Sequence, residues 1–184
     1  MTDNHHDLVQ RIAGGDKQAL AALYRAFEKP VYKFIVSRLN DPHEAADILH
    51  DVFMDIWRVA ASFEGRSQVR TWIFGIAYRK VIDLHRRRGR VTVTDDVPET
   101  GDPAEAADAG YAAKQEAEHL AYCIGRLSDD HRSAISLAFY EDMTCAQIAE
   151  VAGVPEGTIK SRLHHAKKLL LHCLSGRIGG RAVA

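Results

Sequence analysis

One segment of this 184-residue chain combines cations with aromatic rings. Between residues 66 and 90, eight basic residues face one acid, Asp83, and three aromatic residues lie among them: Arg66, Arg70, Arg79, Lys80, Arg86, Arg87, Arg88 and Arg90, with Trp72, Phe74 and Tyr78. Cations that contact the backbone and aromatic faces that stack on unpaired bases are typical of single-stranded nucleic acid binding. Trp72 fits the apolar face of a helix, so we expect it in the core. For Tyr78 and the basic residues, the pattern favours nucleic acid.

A second basic segment lies at the C-terminal end. From Gly157 onward the chain has six Lys and Arg residues and no acid. A short helix, predicted from the Thr144–Gln147 capping box, and a turn at Gly153 precede it, which is helix-turn-helix spacing. Hydroxyls and cations contact phosphates, and Lys, Ser and His bond base edges. A solvated basic face would leave the capped helix and the turn unexplained, so the pattern predicts duplex DNA binding.

An acidic stripe marks a third segment. Glu44, Asp47, Asp51 and Asp55 follow one another at spacings of 3, 4 and 4, and no Lys or Arg occurs between residues 41 and 57. Like charges one helical turn apart cost about 0.2–0.5 kcal/mol per pair. The stripe therefore indicates either a docking surface for a basic protein or a solvated face, and the residues alone leave both open.

Helical periodicity positions all three segments. Apolar residues recur at a 3.6-residue period almost throughout, with predicted N-caps at Asp16, Asp41, Ser67 and Ser128, and with Pro30 expected to interrupt or kink a helix. Residues 1–90 have a net charge of +4, residues 91–113 a net charge of −6, and residues 114–184 a net charge of +1. We predict an all-α fold in which a flexible acidic linker, 91–113, joins two small helical domains, 1–90 and 114–184.

Several classes of protein are disfavoured. No apolar run approaches the roughly 18 residues of a membrane span, and the N terminus lacks a signal-peptide pattern, so we expect a cytoplasmic protein without membrane insertion. Cys123, Cys145 and Cys173 are too few and too scattered for a disulfide framework. No residue pattern calls for a cofactor or a catalytic centre.

Both halves of the chain resemble one family. Four segments of the first half resemble the second conserved region of extracytoplasmic-function sigma factors of bacterial RNA polymerase: 39–57, 63–67, 71–77 and 82–87. Four segments of the second half resemble their fourth region: 127–132, 140–144, 147–150 and 157–163. The resemblance covers nearly the whole chain in the expected order. One departure is Arg79, where the family usually has Asn.

The resemblance implies a promoter-specificity subunit with no chemistry of its own. Core RNA polymerase would dock on Asp47, Asp51, Phe53 and Asp55. The −10 element would be recognised and opened, with one base flipped against the loop 64–68, by Arg66, Ser67, Arg70, Tyr78, Arg79, Lys80, Arg86 and Arg87. The −35 element would be read by Thr158, Lys160, Ser161, Arg162, His164, His165 and Lys167. An anti-sigma factor would hold the protein inactive by covering these surfaces.

Three other hypotheses compete with this interpretation. His43, His50, Asp51 and Asp83 contain the ligand types of a His-Asp metal phosphohydrolase. A helix-turn-helix regulator that works without polymerase docking would need only residues 114–184. Finally, two His/Cys pairs, His119 with Cys123 and His172 with Cys173, could sense metal or redox state. Against that, Cys123 completes an apolar stripe, as a buried free cysteine would.

Overall fold

The computed structural model describes residues 4–39, 41–89 and 111–179. Within these ranges the chain is all-α with no strand, which confirms the predicted fold class. The helices are α1 (Asn4–Ala13), α2 (Lys17–Leu39), α3 (Pro42–Val59), α4 (Val69–Gly89), α5 (Tyr111–Gly125), α6 (Asp129–Phe139), α7 (Cys145–Ala152) and α8 (Glu156–Gly179), with one 3₁₀ turn at Ala60–Ser62. Residues 111–113, predicted as linker, begin α5, and the rest of the predicted linker lies outside the described residues.

Local capping chemistry sets the starts of four helices as predicted, and one of these caps is Asp16, whose carboxylate accepts from the backbone N–H groups of Gln18 and Ala19 at the start of α2. Helix α4 begins at Val69, two residues after the predicted cap Ser67. The Asp41 carboxylate accepts hydrogen bonds from the backbone N–H groups of His43 and Glu44, at 2.9 and 3.1 Å. These bonds stabilise the charged form and lower the pKa of Asp41. Ser128 caps α6 through its hydroxyl oxygen, and Thr144 with Gln147 forms the predicted capping box at α7. Gly153 ends α7 in the left-handed conformation, at φ 67°.

The structure corrects three details of the predicted helices. Helix α1 was not predicted at all. Pro30 lies inside an uninterrupted α2, although it lacks the backbone N–H that the helix would use there. The helix continues because Phe27, Val31 and Phe34 around it are buried in the core. At the end of α6, where the helical period would turn an aromatic residue inward, Phe139 is instead 59% exposed, and the Lys167 ammonium lies 5.5 Å from the centre of its ring.

A hydrophobic core runs from the first half of the chain into the second. It contains the buried side chains of α1 to α4 together with Leu137, Met143, Ile148, Val151 and Ile159 of the second half. A separate, much smaller cluster in the second half consists of Leu127, Ile135 and Ala166. The two halves meet where α7 packs on α4 and α6 packs on α2. Whether each half folds on its own stays a prediction.

A disulfide reinforces the second half. Cys123 of α5 and Cys173 of α8 are bonded, across a sequence separation of 50 residues. Cys123 is buried as expected, at 1% exposure, but the bond corrects the expectation that it is free. Cys145 is free.

Candidate nucleic-acid and protein interfaces

The acidic stripe of α3 faces outward. Asp47 and Asp51 are exposed, and Asp47 forms no ion pair with any described residue. Asp55 is half-buried and accepts from the Lys80 ammonium at 2.7 Å, while Lys80 is 3.9 Å from the Asp51 carboxylate. Lys80, predicted to contact the −10 element, thus reduces the like-charge repulsion of the stripe from α4.

Phe53 occupies a different place from the other predicted docking residues. It is only 2% exposed, and its ring centre lies 4.7 Å from that of Tyr24 in the core. In this structure the Phe53 ring therefore supports the acidic face from beneath, and its predicted part in docking stays a prediction. The period of α3 already contained this information, since Leu49, Val52, Phe53 and Ile56 form its buried side.

The loop before α4 and the outer face of α4 present the exposed members of the predicted −10 set. Arg66 lies on the loop and pairs with Glu64 at 2.6 Å, with most of its side chain exposed. Ser67, half-buried, lines a surface cavity there. Arg79, Arg86 and Arg87 are exposed along α4.

Of the remaining members of the −10 set, Lys80 is held by Asp55 of α3, whereas Arg70 and Tyr78 are held by the second half of the chain. Arg70 donates a hydrogen bond to the buried carboxylate of Glu141. The Tyr78 hydroxyl lies 3.4 Å from the Asp130 carboxylate, which also pairs with Arg162 of α8 at 2.5 Å. Burial, and then the Asp130 charge, raise the pKa of the Tyr78 phenol. Three predicted DNA-contacting side chains are thereby engaged within the protein.

A buried cation lies at the same junction. Arg38, at the end of α2, is 2% exposed and donates hydrogen bonds to the Asp129 carbonyl and the Ser133 hydroxyl of α6. Burial lowers its pKa, and the Asp129 carboxylate, 3.6 Å from the guanidinium, offsets part of that cost. Sequence reasoning missed Arg38, although a single cation between Ile35 and Leu39 on an apolar stripe was a usable signal.

The first turns of α8 present most of the predicted −35 set to solvent. Lys160, Ser161, His164, His165 and Lys167 are exposed, whereas Thr158 is half-buried. Lys160 pairs with Glu156 one turn earlier at 2.8 Å, which raises its pKa. Arg162 points instead to Asp130 of α6. The arrangement of α7, the Gly153 turn and α8 gives a helix-turn-helix whose second helix carries the exposed donors.

The geometry does not favour the metal hypotheses. Among the described residues, no cluster of three or more His, Cys, Asp or Glu side chains is placed to hold a metal ion. His43 and His50 are both exposed on α3. Over the described ranges, every helix falls short of the length and apolarity needed to cross a bilayer.

Comparisons with known proteins assign both halves. Residues 23–91 match the Sigma-70 region 2 family, and residues 118–170 match Sigma-70 region 4. An ECF RNA polymerase sigma factor SigK from Mycobacterium sp. (strain JLS) is 30% identical over 178 residues, covering 91% of this chain and 89% of the relative. SigK from Mycobacterium tuberculosis (strain ATCC 25177 / H37Ra) is 27% identical over 175 residues, covering 91% of each chain.

Two solved structures share the fold. CnrH in complex with the cytosolic domain of CnrY has a TM-score of 0.71 and 21% identity, covering 95% of this chain and 99% of that one. The sigma factor RpoE of Bartonella quintana, in complex with the anti-sigma factor NepR, has a TM-score of 0.67 and 29% identity, covering 86% of this chain and 96% of that one.

Region 2 followed by region 4 on one helical chain defines a sigma-70-type transcription initiation factor. Within that class, the chain belongs to the extracytoplasmic-function sigma factors. It is therefore an alternative sigma factor, which directs RNA polymerase to specific promoters. The hypothesis of a regulator without polymerase docking is not favoured, because it leaves the region 2 match unexplained.

Proposed function

We propose that promoter recognition is divided between the two halves of the chain. Residues 1–90 dock on core RNA polymerase through Asp47, Asp51 and Asp55, and they capture the opened −10 strand with the loop and outer face of α4. Residues 114–184 read the −35 element with α8. The observation that carries the proposal is the exposed row Lys160, Ser161, His164 and His165, presented by a capped helix-turn-helix.

Promoter binding on this proposal requires the two halves to separate. Arg70, Tyr78 and Arg162 are engaged by Glu141 and Asp130 in the described arrangement. DNA phosphates and bases offer these side chains alternative partners, but only after the junction between α4 and α7 opens. The closed arrangement is then the resting form of the sigma factor, and polymerase selects the open one.

The proposal also includes a regulatory partner and a location. RpoE of Bartonella quintana is bound by the anti-sigma factor NepR, and we propose that a protein of that functional class binds this chain. Its expected effect is to compete with core polymerase for the acidic face of α3. Since the proposed partners are polymerase and promoter DNA, the site of action is the bacterial cytoplasm.

Run-off transcription from a randomised promoter pool tests the proposal. Core RNA polymerase is used with and without this protein, and the templates that yield new start sites are sequenced. We expect start sites that depend on the protein and share one −10 and one −35 sequence. The variant Ser161→Ala/His164→Ala should relax the −35 sequence alone, whereas His172→Ala, an exposed His later on α8, should leave it unchanged.

The opposite result is equally specific. If the protein binds duplex DNA by itself and adds no start sites, it is a simple regulator, and the charged surfaces of residues 41–90 need another explanation. A protein that binds this chain and abolishes the new start sites would be the expected anti-sigma factor.

A further inference from the structure

A cavity of about 660 Å³ lies between α1 and the loop before α4. Its lining consists of His6, Asp7 and Gln10 on the α1 side and residues 65–69 on the loop side. The cavity is broad and open to solvent. The resemblance to extracytoplasmic-function sigma factors implies that a flipped base meets the loop side. The α1 side has no role assigned to it so far.

Helix α1 and the loop form one packed unit. Gly65 has φ +69°, and a Cβ at this position would lie 2.6 Å from Cε1 of His6, so the imidazole lies directly against the loop backbone. The centre of the His6 ring is 5.6 Å from the centre of the Phe63 ring, which is in turn 4.7 Å from the centre of the Trp72 ring. The wall supplied by α1 is therefore fixed relative to the loop and not an independent tail.

The polar groups of the lining suit a nucleobase better than a phosphate. His6 supplies an aromatic ring, Gln10 an amide whose nitrogen lies 3.1 Å from Nε2 of His6, and Ser67 a hydroxyl. The one cation of the lining, Arg66, is already paired with Glu64 at 2.6 Å. The Asp7 carboxylate is 64% exposed, and its nearest cation, Arg11, is 3.9 Å away. Its free oxygens repel a phosphate and accept hydrogen bonds from N–H donors.

We propose that Asp7 and Gln10 of α1 complete the pocket for the extruded base of the −10 strand and select a base with an exocyclic amino group. This inference rests on the proposed capture of an opened strand. Cytosine, adenine and guanine each carry an amino group that a carboxylate can accept from. In thymine the only N–H donor of the pairing edge lies between two carbonyl oxygens, and these oxygens repel a carboxylate. Base identity at one −10 position is then set in part by a helix outside the loop.

The variant Asp7→Asn tests the selection with almost no change of shape. An Asn amide can donate to a thymine carbonyl, so thymine should become acceptable at one position. The readout is the base composition of productive templates from a pool randomised across the −10 element, transcribed by core polymerase with the full-length protein. We expect thymine usage at that one position to rise about fivefold relative to the unmodified protein, with other positions and the −35 element unchanged. The matched control is Glu28→Gln, a carboxylate of α2 away from the cavity.

A second variant covers the case in which Asp7→Asn disturbs α1. Gln10→Ala should broaden the same position, whereas Gln18→Ala, an exposed Gln on α2, should not. If the unmodified protein is active, and if both cavity variants select the same −10 bases as their controls, this inference is overturned and the proposed function is not. An unmodified protein that adds no start sites overturns the proposed function and this inference with it.

Discussion

The two halves of the molecule are stabilised in different ways. The first half supplies most of the large core, with α1 to α4 all contributing buried side chains. Among its described residues, the second half has Leu127, Ile135 and Ala166 as a cluster of its own, and Leu137, Ile148 and Ile159 join the core of the first half. The second half thus depends on the Cys123–Cys173 bond and on its contact with the first half.

The same contrast holds for the functional surfaces. The acidic face of α3 is open to a partner while the halves are closed, since Asp47 and Asp51 point to solvent. Among the residues proposed to contact DNA, Arg70, Tyr78 and Arg162 are held by carboxylates of the second half. On the proposed function, a closed molecule can therefore meet polymerase before it can fully engage the promoter. Four measurements test this difference between the two halves.

Removal of the disulfide should have the largest effect. In the chain-entropy model, a cross-link that closes a loop of 50 residues stabilises the folded state by about 4 kcal/mol. We expect Cys123→Ser/Cys173→Ser, or the reduced protein, to lose about that much in the second half while the first half keeps its stability. Urea unfolding followed by amide exchange of α8 and of α2 measures the two halves separately.

Cys145→Ser is the control for that experiment, because Cys145 is a free thiol in the same half. Equal loss of protection in α2 and α8 would contradict the contrast between the halves, since it would mean that they unfold as one unit.

A truncation at the junction should have the next largest effect. Ile148 of α7 is 1% exposed in the shared core, and Ile→Ala at such a site costs about 3 kcal/mol. We expect Ile148→Ala to increase amide exchange in α7 and α8 more than in α1 to α3. Leu171→Ala, at a site that is 66% exposed, is the control. Unchanged exchange in α8 would show that the second half does not depend on this contact.

Loss of a donor on α8 should act on DNA alone. Lys160→Ala should weaken binding of polymerase holoenzyme to the −35 element about tenfold if the ammonium contacts a base, and only a few-fold if it contacts phosphate. The salt dependence of binding separates the two, because a lost phosphate contact lowers the slope. Lys17→Ala, on the distant α2, is the control. A similar loss of −35 binding by this variant would mean that Lys160 has no specific role.

Much of this organisation was predictable from short-range chemistry. The caps at Asp41, Ser128 and Thr144 bond backbone groups two or three residues away, so the sequence contains all of their partners. The exposed donors of α8 were predictable for the same reason, since a capped helix and a glycine turn define which face is presented.

Long-range pairings were not predictable in this way. Arg38 with Asp129 and Arg70 with Glu141 join residues that are 91 and 71 positions apart, and no periodicity links them. The same applies to the bond between Cys123 and Cys173. Helix α1 itself was missed although Leu8, Val9 and Ile12 form a local apolar side, and only the placement of His6 against Gly65 depends on a loop about sixty residues away. Such contacts decide which predicted binding residues are free and which are engaged.

The smallest expected effect concerns the open face of α3. Asp51 is exposed and 3.9 Å from the Lys80 ammonium, so on the proposed function it acts in docking as a screened surface charge. Asp51→Arg should weaken the binding of core polymerase about fivefold in low salt, and the loss should shrink as ionic strength rises. The thermal stability of the protein should not change, since the side chain is outside the core.

Glu118→Arg, an exposed charge reversal on α5, is the control. Equal weakening of polymerase binding by both variants would mean that net charge, and not the acidic face of α3, controls docking. A loss of binding that persists in high salt would mean that the substitution changes the structure.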